Sequence, residues 1–334
     1  MLKIGVIGYG YWGPNLVRNF MAADGATVSY VSDLDAARLE LVSKQYPGVG
    51  TTTDHRQLVE SPDVDAVAIA TPVATHHGLA TLALEAGKHV FVEKPLAAST
   101  AEAEDLVNRA RASGLTLMVD HTFIYTGAVR KMRELVESGE LGEIYYFDSV
   151  RVNLGLFQAD VSVLWDLAVH DLAILGYVLP GLPETVSATG KAHVPGKPAN
   201  VAYLTCMYPG SLIAHIHVNW LSPVKIRQTL LGGSRKMLVY DDLQASEKVK
   251  IYDRGITTET RNEIYDTLIG YRMGDMLAPR LDAREALLLE AENFVRCVRD
   301  RVTPPNDGLA GLQVVRLLEA AERSMLEHGM PVSV

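Results

Sequence analysis

Three short stretches of the 334-residue chain combine residue types that can move protons and hydride. Glu93-Lys94-Pro95 places an acid, an amine and a rigid ring directly after the strand-like run Lys88-His89-Val90-Phe91-Val92. A lysine ammonium there can donate to a substrate oxygen and stabilise negative charge growing on it, or relay a proton if desolvation lowers its affinity for one. Asp166 and His170 are four residues apart, so a helix over 165–175 puts them on one face, with Trp165, Leu172 and Leu175 left for packing. An imidazole titrating near neutrality suits proton abstraction from a hydroxyl and the neighbouring carboxylate can orient it, although an ordinary helix with a local charge pair at His170 and Asp171, and a helix N-cap at Asp166, would look the same. Oxidising that hydroxyl also needs a hydride acceptor.

Gly8-Tyr9-Gly10-Tyr11-Trp12-Gly13 answers that need, because it fits the Gly-x-Gly-x-x-Gly fingerprint and lies between the strand-like run Leu2–Ile7 and a helix. Gly8 allows the tight turn, Gly10 lets a pyrophosphate approach the backbone, Gly13 lets helix and strand pack closely, and Tyr11 and Trp12 flank the path of the nucleotide. Asp33 ends the next strand-like run 20 residues after Gly13, placed to accept the adenosine ribose hydroxyls. A carboxylate there repels a 2′-phosphate, which favours NAD over NADP, although Arg38 nearby is a counter-signal.

The elements that must position these groups are legible as periodicity. From Leu2 to about Asp120, apolar runs at 2–7, 27–32, 66–70, 89–92 and 115–119 alternate with helical segments at 14–23, 36–45, 79–86 and 101–113. That alternation predicts a doubly wound parallel sheet, with ligands at the C-terminal mouths of its strands. Ser99 and Glu102 form a capping box before the last of these helices. Thr71, Pro72 and His76 reach the same sheet edge and are candidates for the nicotinamide-ribose side, although a helix-start proline and a surface histidine would look the same. Past about residue 142 come longer alternating segments separated by Gly and Pro. Tyr208-Pro209-Gly210-Ser211 marks a hairpin, which predicts an open, mostly antiparallel sheet in an α+β domain. Both alternating sets of 201–208 are largely apolar, so both faces should be covered, one by helices and the other by a second subunit. The expected domains are 1–121 for the nucleotide and 122–334 for substrate and oligomerisation, with the last two helices free to pack back on the first domain. Segment 253–282 has no assignable pattern.

His121 and Tyr125 in the crossover between domains are candidates for cofactor or substrate contact, equally readable as a packed crossover. Arg151 and Asn153 at the end of a strand are candidate substrate ligands, with His193, Lys225 and Arg227 more distant and by default solvated.

Composition bounds the class. With 31 Lys+Arg against 40 Asp+Glu and a net charge of -9, no basic surface presents itself to nucleic acid. The 48% hydrophobic content suffices for two cores. Cys206 and Cys297 form no metal-binding or disulfide pattern, no metal site is expected, and neither a signal peptide nor a membrane span is evident, so a cytoplasmic location is expected.

Taken together, the Gly8–Gly13 turn, Ala70-Thr71-Pro72 with His76, Glu93-Lys94-Pro95 and Asp166-Leu167-Ala168-Val169-His170-Asp171 resemble the Gfo/Idh/MocA family, the glucose-fructose oxidoreductase and inositol dehydrogenase group. The resemblance runs over nearly the whole chain and departs at Ala168, where glycine is common. It implies an NAD-dependent oxidoreductase of a sugar or cyclitol hydroxyl, with Lys94 before a cis proline completed by Asp166 and His170. Glu93 and Lys94 are then expected beside the cofactor, and Lys94, Asp166 and His170 around the substrate together with the positional candidates His121, Tyr125, Arg151 and Asn153. A nucleotide-linked sugar is the leading substrate, inositol-like polyols or free sugars the runner-up, and a homodimer or homotetramer the expected assembly. A non-catalytic NAD- and sugar-sensing regulator and an NAD-dependent glycosidase are the alternatives of another class. Retention of Lys94, Asp166 and His170 argues against the regulator.

Overall fold

β-Branched and apolar residues concentrate in six short runs of the first 120 residues, and these runs form one parallel sheet. In the computed structural model, which describes residues 1–155, 161–260 and 267–334, the order along the chain is β1 (Leu2–Ile7), α1 (Gly13–Ala22), β2 (Ala26–Ser32), α2 (Ala36–Gln45), β3 (Gly50–Thr52), α3 (His55–Glu60), β4 (Ala66–Ile69), α4 (His76–Glu85), β5 (His89–Glu93), α5 (Thr100–Ser113) and β6 (Leu117–Asp120). The sheet order is β3-β2-β1-β4-β5-β6 with every pair parallel, so the winding reverses between β1 and β4. Ligands bind at such a reversal because the loops there diverge and open a crevice. β4 is buried at every residue, as a strand covered on both faces must be. Helix starts follow local chemistry: Asp35 caps α2, Asp54 caps α3, and Ser99 accepts the Glu102 amide at 3.2 Å while Glu102 reaches back to the Ala98 amide.

The chain continues through α6 (Gly127–Glu137), β7 (Ile144–Leu154), a single π-turn (Leu164–Ala168), α7 (Val169–Val178), β8 (Thr185–Lys191), β9 (Val201–Met207), β10 (Ile213–Asn219), β11 (Leu221–Gly233), β12 (Met237–Asp241) and β13 (Val249–Tyr252). Then come β14 (Gly255–Thr260), β15 (Thr267–Arg272), β16 (Met276–Leu277), α8 (Ala286–Asp300), α9 (Gly308–Leu326) and β17 (Val332–Ser333). Nine strands form the second sheet in the order β16-β13-β12-β11-β7-β10-β9-β8-β17. Its pairs are antiparallel apart from β7 with β10, and the predicted hairpin joins β9 to β10. The described part of segment 253–282, unassigned from sequence, holds β16 and the separate antiparallel pair of β14 and β15.

Two compact units result: Met1–Thr126 with Arg284–Arg316, and Gly127–Ala283 with Leu317–Val334. The first unit takes back α8 from the far end of the chain. Phe294 of α8 meets Phe20 of α1 and Phe91 of β5 edge to face, with ring centroids 6.0 and 5.6 Å apart. In the second unit Ala202, Leu204 and Cys206 of β9 are buried, whereas Tyr203 and Met207 on the opposite face stay exposed. Among the described residues no helix is long and apolar enough to cross a membrane.

Candidate active site

Gly8 leaves β1 with φ +95°, in the left-handed region, and a Cβ there would lie 2.5 Å from the Ala70 carbonyl oxygen. Gly13 is as constrained, since its Cβ would stand 2.1 Å from the Gly8 carbonyl oxygen. Gly10 differs: the one heavy atom near its Cβ position is Arg38 Nη1 at 3.5 Å, so the space over it is open. No side chain caps the N-terminus of α1, where Pro14 occupies the first turn. This open glycine cradle, with uncapped helix amides behind it, fits a pyrophosphate. Tyr11 projects into solvent, with 91% of its surface exposed, and its ring stacks on Trp12.

Asp33 lies at the end of β2, where sequence placed it. One carboxylate oxygen accepts the Tyr9 amide at 2.6 Å and the other the Asp35 amide at 2.8 Å, and Arg38 Nη1 stands 3.4 Å away. Arg38 also faces Asp35 at 3.6 Å, so two carboxylates share its charge.

The mouths of β4 and β5 are tied together by His76. Its ring is buried, with Nδ1 2.8 Å from the Pro95 carbonyl oxygen and Nε2 2.8 Å from that of Thr71. Burial holds this imidazole below its ordinary value, against the two carbonyls that each favour a donated proton. His76 therefore shapes the site from beneath, and a surface role is excluded by its 1% exposure. Thr71 and Thr75 share a hydroxyl hydrogen bond of 2.7 Å, and Pro72 opens the turn between β4 and α4. The Lys94-Pro95 bond is cis.

Glu93, expected beside the cofactor, also engages a carboxyl neighbour. It pairs in register with Asp120 at the end of β6 and hydrogen-bonds to it, while its Oε2 accepts the Lys94 amide at 3.0 Å. Burial, then the charge of Asp120, pushes Glu93 well above the usual carboxyl range. His121 next to Asp120 is 3% exposed, and burial pulls its pKa down to about 4, so the ring is neutral. Neither of its nitrogens has a hydrogen-bond partner among the described residues. Tyr125 is buried in a polar chain: its hydroxyl donates to Asn306 Oδ1 and accepts from Asn293 Nδ2, both at 2.7 Å. The packed-crossover reading describes Tyr125.

In the second unit the helix over Asp166 and His170 is not one continuous α-helix. Asp166 belongs to the π-turn Leu164–Ala168 and His170 to the first turn of α7, so their angular offset differs from that of a uniform α-helix. Trp220, between β10 and β11, donates from its indole nitrogen to Asp166 Oδ2 at 3.1 Å and fixes that carboxylate. Arg151, expected as a substrate ligand, is 4% exposed and forms a bidentate ion pair with Asp171 at 2.7 and 3.1 Å, to which Ser149 adds a hydrogen bond of 2.8 Å. Its guanidinium anchors α7 to β7. Asn153 is half-buried near the end of β7. His193 contacts Asn200 at 3.0 Å, Lys225 is exposed on β11, and Arg227 faces Asp242 at 3.5 Å.

Asp120, Glu290, Asn306 and Trp220 are the polar residues that sequence reading missed. Asp120 was reachable by the strand-mouth rule that found Lys94. Glu290 carried no signal on a helix that also holds Glu292 and is preceded by Glu285.

A doubly wound sheet with a glycine cradle, an acid after β2 and a lysine after β5 defines an NAD-binding oxidoreductase, and sequence comparison agrees. The profile of the oxidoreductase family with an NAD-binding Rossmann fold matches residues 2–121, and that of the GFO/IDH/MocA C-terminal domain matches 129–239. The chain belongs to the Gfo/Idh/MocA family. It is 27% identical to UDP-N-acetylglucosamine 3-dehydrogenase of Acidithiobacillus ferrooxidans over 94% of both chains. It is 24% identical to myo-inositol 2-dehydrogenase of Thermotoga maritima over 98% of this chain and 97% of that one. The solved structure of the Acidithiobacillus enzyme shares the fold, with a TM-score of 0.83 over 98% of this chain and 99% of that one, at 24% identity in the structural alignment.

Proposed function

We propose that this protein oxidises a secondary hydroxyl of a sugar carried on a nucleotide, with NAD as the acceptor. The observation that carries the reading is Lys94 at the C-terminal end of β5, on the edge of the sheet where β1 holds the nucleotide cradle. When bound, NAD supplies an electrophilic nicotinamide that accepts hydride. Asp33 holds the adenosine ribose, Gly10 and the start of α1 hold the pyrophosphate, and Thr71, Pro72, His121 and Glu93 line the nicotinamide side, Glu93 as a neutral acid.

Lys94 donates from its ammonium to the substrate oxygen and stabilises the charge that develops as the C–H bond breaks. His170 takes the hydroxyl proton, and Asp166, steadied by Trp220, orients the group that does so. The substrate becomes a ketone, and the proton leaves through His170. The nucleotide-linked substrate is supported by the relative that acts on UDP-N-acetylglucosamine, aligned over 94% of both chains. An inositol substrate is the second reading, supported by the Thermotoga relative.

The exposed face of the second sheet supports self-association. Tyr203, Met207, Ile213 and Ile226 lie on it, and the Tyr203 ring stacks on His217 at 4.4 Å. A second copy covers this face, giving a dimer or a tetramer built from dimers. The buried thiols Cys206 and Cys297 suit a reducing, cytoplasmic setting.

Incubating the protein and NAD with a panel of nucleotide sugars, free sugars and inositols, with NADH absorbance as readout, tests the reading. Sustained NADH formation with a nucleotide sugar is expected. NADH formation with inositol alone selects the second reading, and none with any member of the panel overturns both.

A further inference from the structure

Register puts Glu93 at the end of β5 directly beside Asp120 at the end of β6. Glu290 of α8, fully buried, comes within hydrogen-bonding reach of the same Asp120. Three carboxyl groups in one buried contact do not all ionise. The direction of their other hydrogen bonds shows which one does.

Glu93 Oε2 accepts the Lys94 amide, and its Oε1 is buried without a donor among the described residues. Glu290 Oε1 accepts from Asn306 Nδ2 at 2.7 Å, and its Oε2 is likewise buried without a donor. A charged oxygen left this way is strongly disfavoured, whereas a protonated one brings its own donor. Asp120 shows the opposite pattern. Its Oδ1 accepts the Thr122 hydroxyl and its Oδ2 the indole N–H of Trp12 at 2.8 Å. A carboxylate offers about four acceptor positions, so two remain, and two glutamic acids have one proton each to give.

We infer that Asp120 is the single ionised member of this cluster, that Glu93 and Glu290 donate to it as neutral acids from Oε1 and Oε2, and that Glu290 is thereby a positioning residue for the nucleotide turn and the Lys94 segment. One anion then holds Trp12 before α1, Glu93 before Lys94, and Thr122 in the crossover. Burial and the charge of Asp120 act in the same direction and push both glutamates well above the ordinary range, against the Thr122 hydroxyl, which hydrogen-bonds to Glu290 and favours its charged form. Lys94 and neutral His121 are the other titratable neighbours, and Lys94 pulls Glu93 part of the way back. Asn306 locks Glu290 in place by also donating to the Val119 carbonyl at 2.6 Å.

The positioning role rests on the proposed cofactor site; the protonation pattern does not. Infrared spectra of the whole protein at neutral pH, in water and heavy water, report protonated carboxyl carbonyls. Glu290→Gln and Glu93→Gln are each expected to remove one such band, and retention of the full set in either variant overturns the assignment. For positioning, NADH dissociation constants are measured by fluorescence from neutral to alkaline pH. Glu290→Ala is expected to weaken binding about ten-fold or more, the scale of one buried hydrogen bond to a charged group. Glu290→Gln, whose amide reproduces both the donor and the acceptor, is expected to recover most of that loss and to lack the weakening that wild type shows as the cluster deprotonates. Wild-type affinity in Glu290→Ala, or an unchanged alkaline profile in Glu290→Gln, overturns the positioning role. Wild type that binds no NADH at all would instead fault the cofactor reading, and the infrared bands would still decide the cluster.

Discussion

The amide of Tyr9 donates to Asp33 across 2.6 Å, so the glycine turn after β1 and the acid after β2 form one unit. Asp33→Ala removes both the ribose acceptor and this tie. NADH is expected to bind about ten-fold more weakly or worse, and the preference over NADPH to narrow, as measured by fluorescence titration with each nucleotide. Unchanged selectivity would show that Asp33 is not the ribose ligand.

Two glycines of that turn, Gly10 and Gly13, should separate binding from folding. Gly10→Ala meets open space, with one neighbour at 3.5 Å, so its melting temperature is expected to stay within about 2 °C of wild type while NADH affinity falls. Gly13→Ala forces a Cβ to 2.1 Å from a carbonyl oxygen and is expected to melt well below both. Equal melting temperatures for the two variants would contradict the turn geometry.

Lys94→Ala and His170→Ala are each expected to lower kcat by about 100-fold or more, the range of electrostatic and acid-base groups, with NADH affinity changing much less. Turnover near wild type in either variant removes that residue from the chemistry.

His121 gives the folded state a pH limit. Its folded pKa of about 4 lies below the ordinary imidazole value of about 6.5, so the unfolded chain binds the proton first as pH falls. Stability from this group is complete above about pH 6.5, and about 3 kcal/mol of it is lost by pH 4. Burial lowers His76 as well, adding to the loss in the same direction. Denaturant unfolding at pH 7 and pH 4.5 should therefore show a smaller stability difference in His121→Asn than in wild type; an equal difference would assign the acid sensitivity elsewhere.

Tyr203→Asp places a charge on the exposed face of β9 and is expected to dissociate the proposed oligomer without a change in far-ultraviolet circular dichroism. Light scattering that shows the same mass for both proteins would move the interface away from this sheet.

Much of the first unit was written in period and punctuation. Runs of Val, Ile and Ala with glycine turns between them specify buried parallel strands, and the capping residues Asp35 and Ser99 declare their helices. β3 and α3 escaped because Gly50-Thr51-Thr52 is short and polar and forms a strand through its pairing with β2. Lys94 and Asp33 were legible because strand ends fix their places, whatever the rest of the chain does. Arg151 was misjudged because strand position does not say whether a side chain faces ligand or core, and the partner that decides it, Asp171, lies on another element. Glu290 is the extreme case: its meaning depends on Asp120, Asn306 and Thr122, none of which is near it in sequence.

The return of α8 to the first unit has a consequence for biosynthesis. The nucleotide cradle is synthesised well before Phe294, which fills the core beside Phe20 and Phe91, and before Glu290 and Asn306, which reach the mouth of β6. A nascent chain that has released only its first 126 residues has the strands for the Rossmann sheet but not the plug for its core. Chains stopped before residue 284 lack the 284–316 part of this unit and are therefore expected to hold the nucleotide poorly.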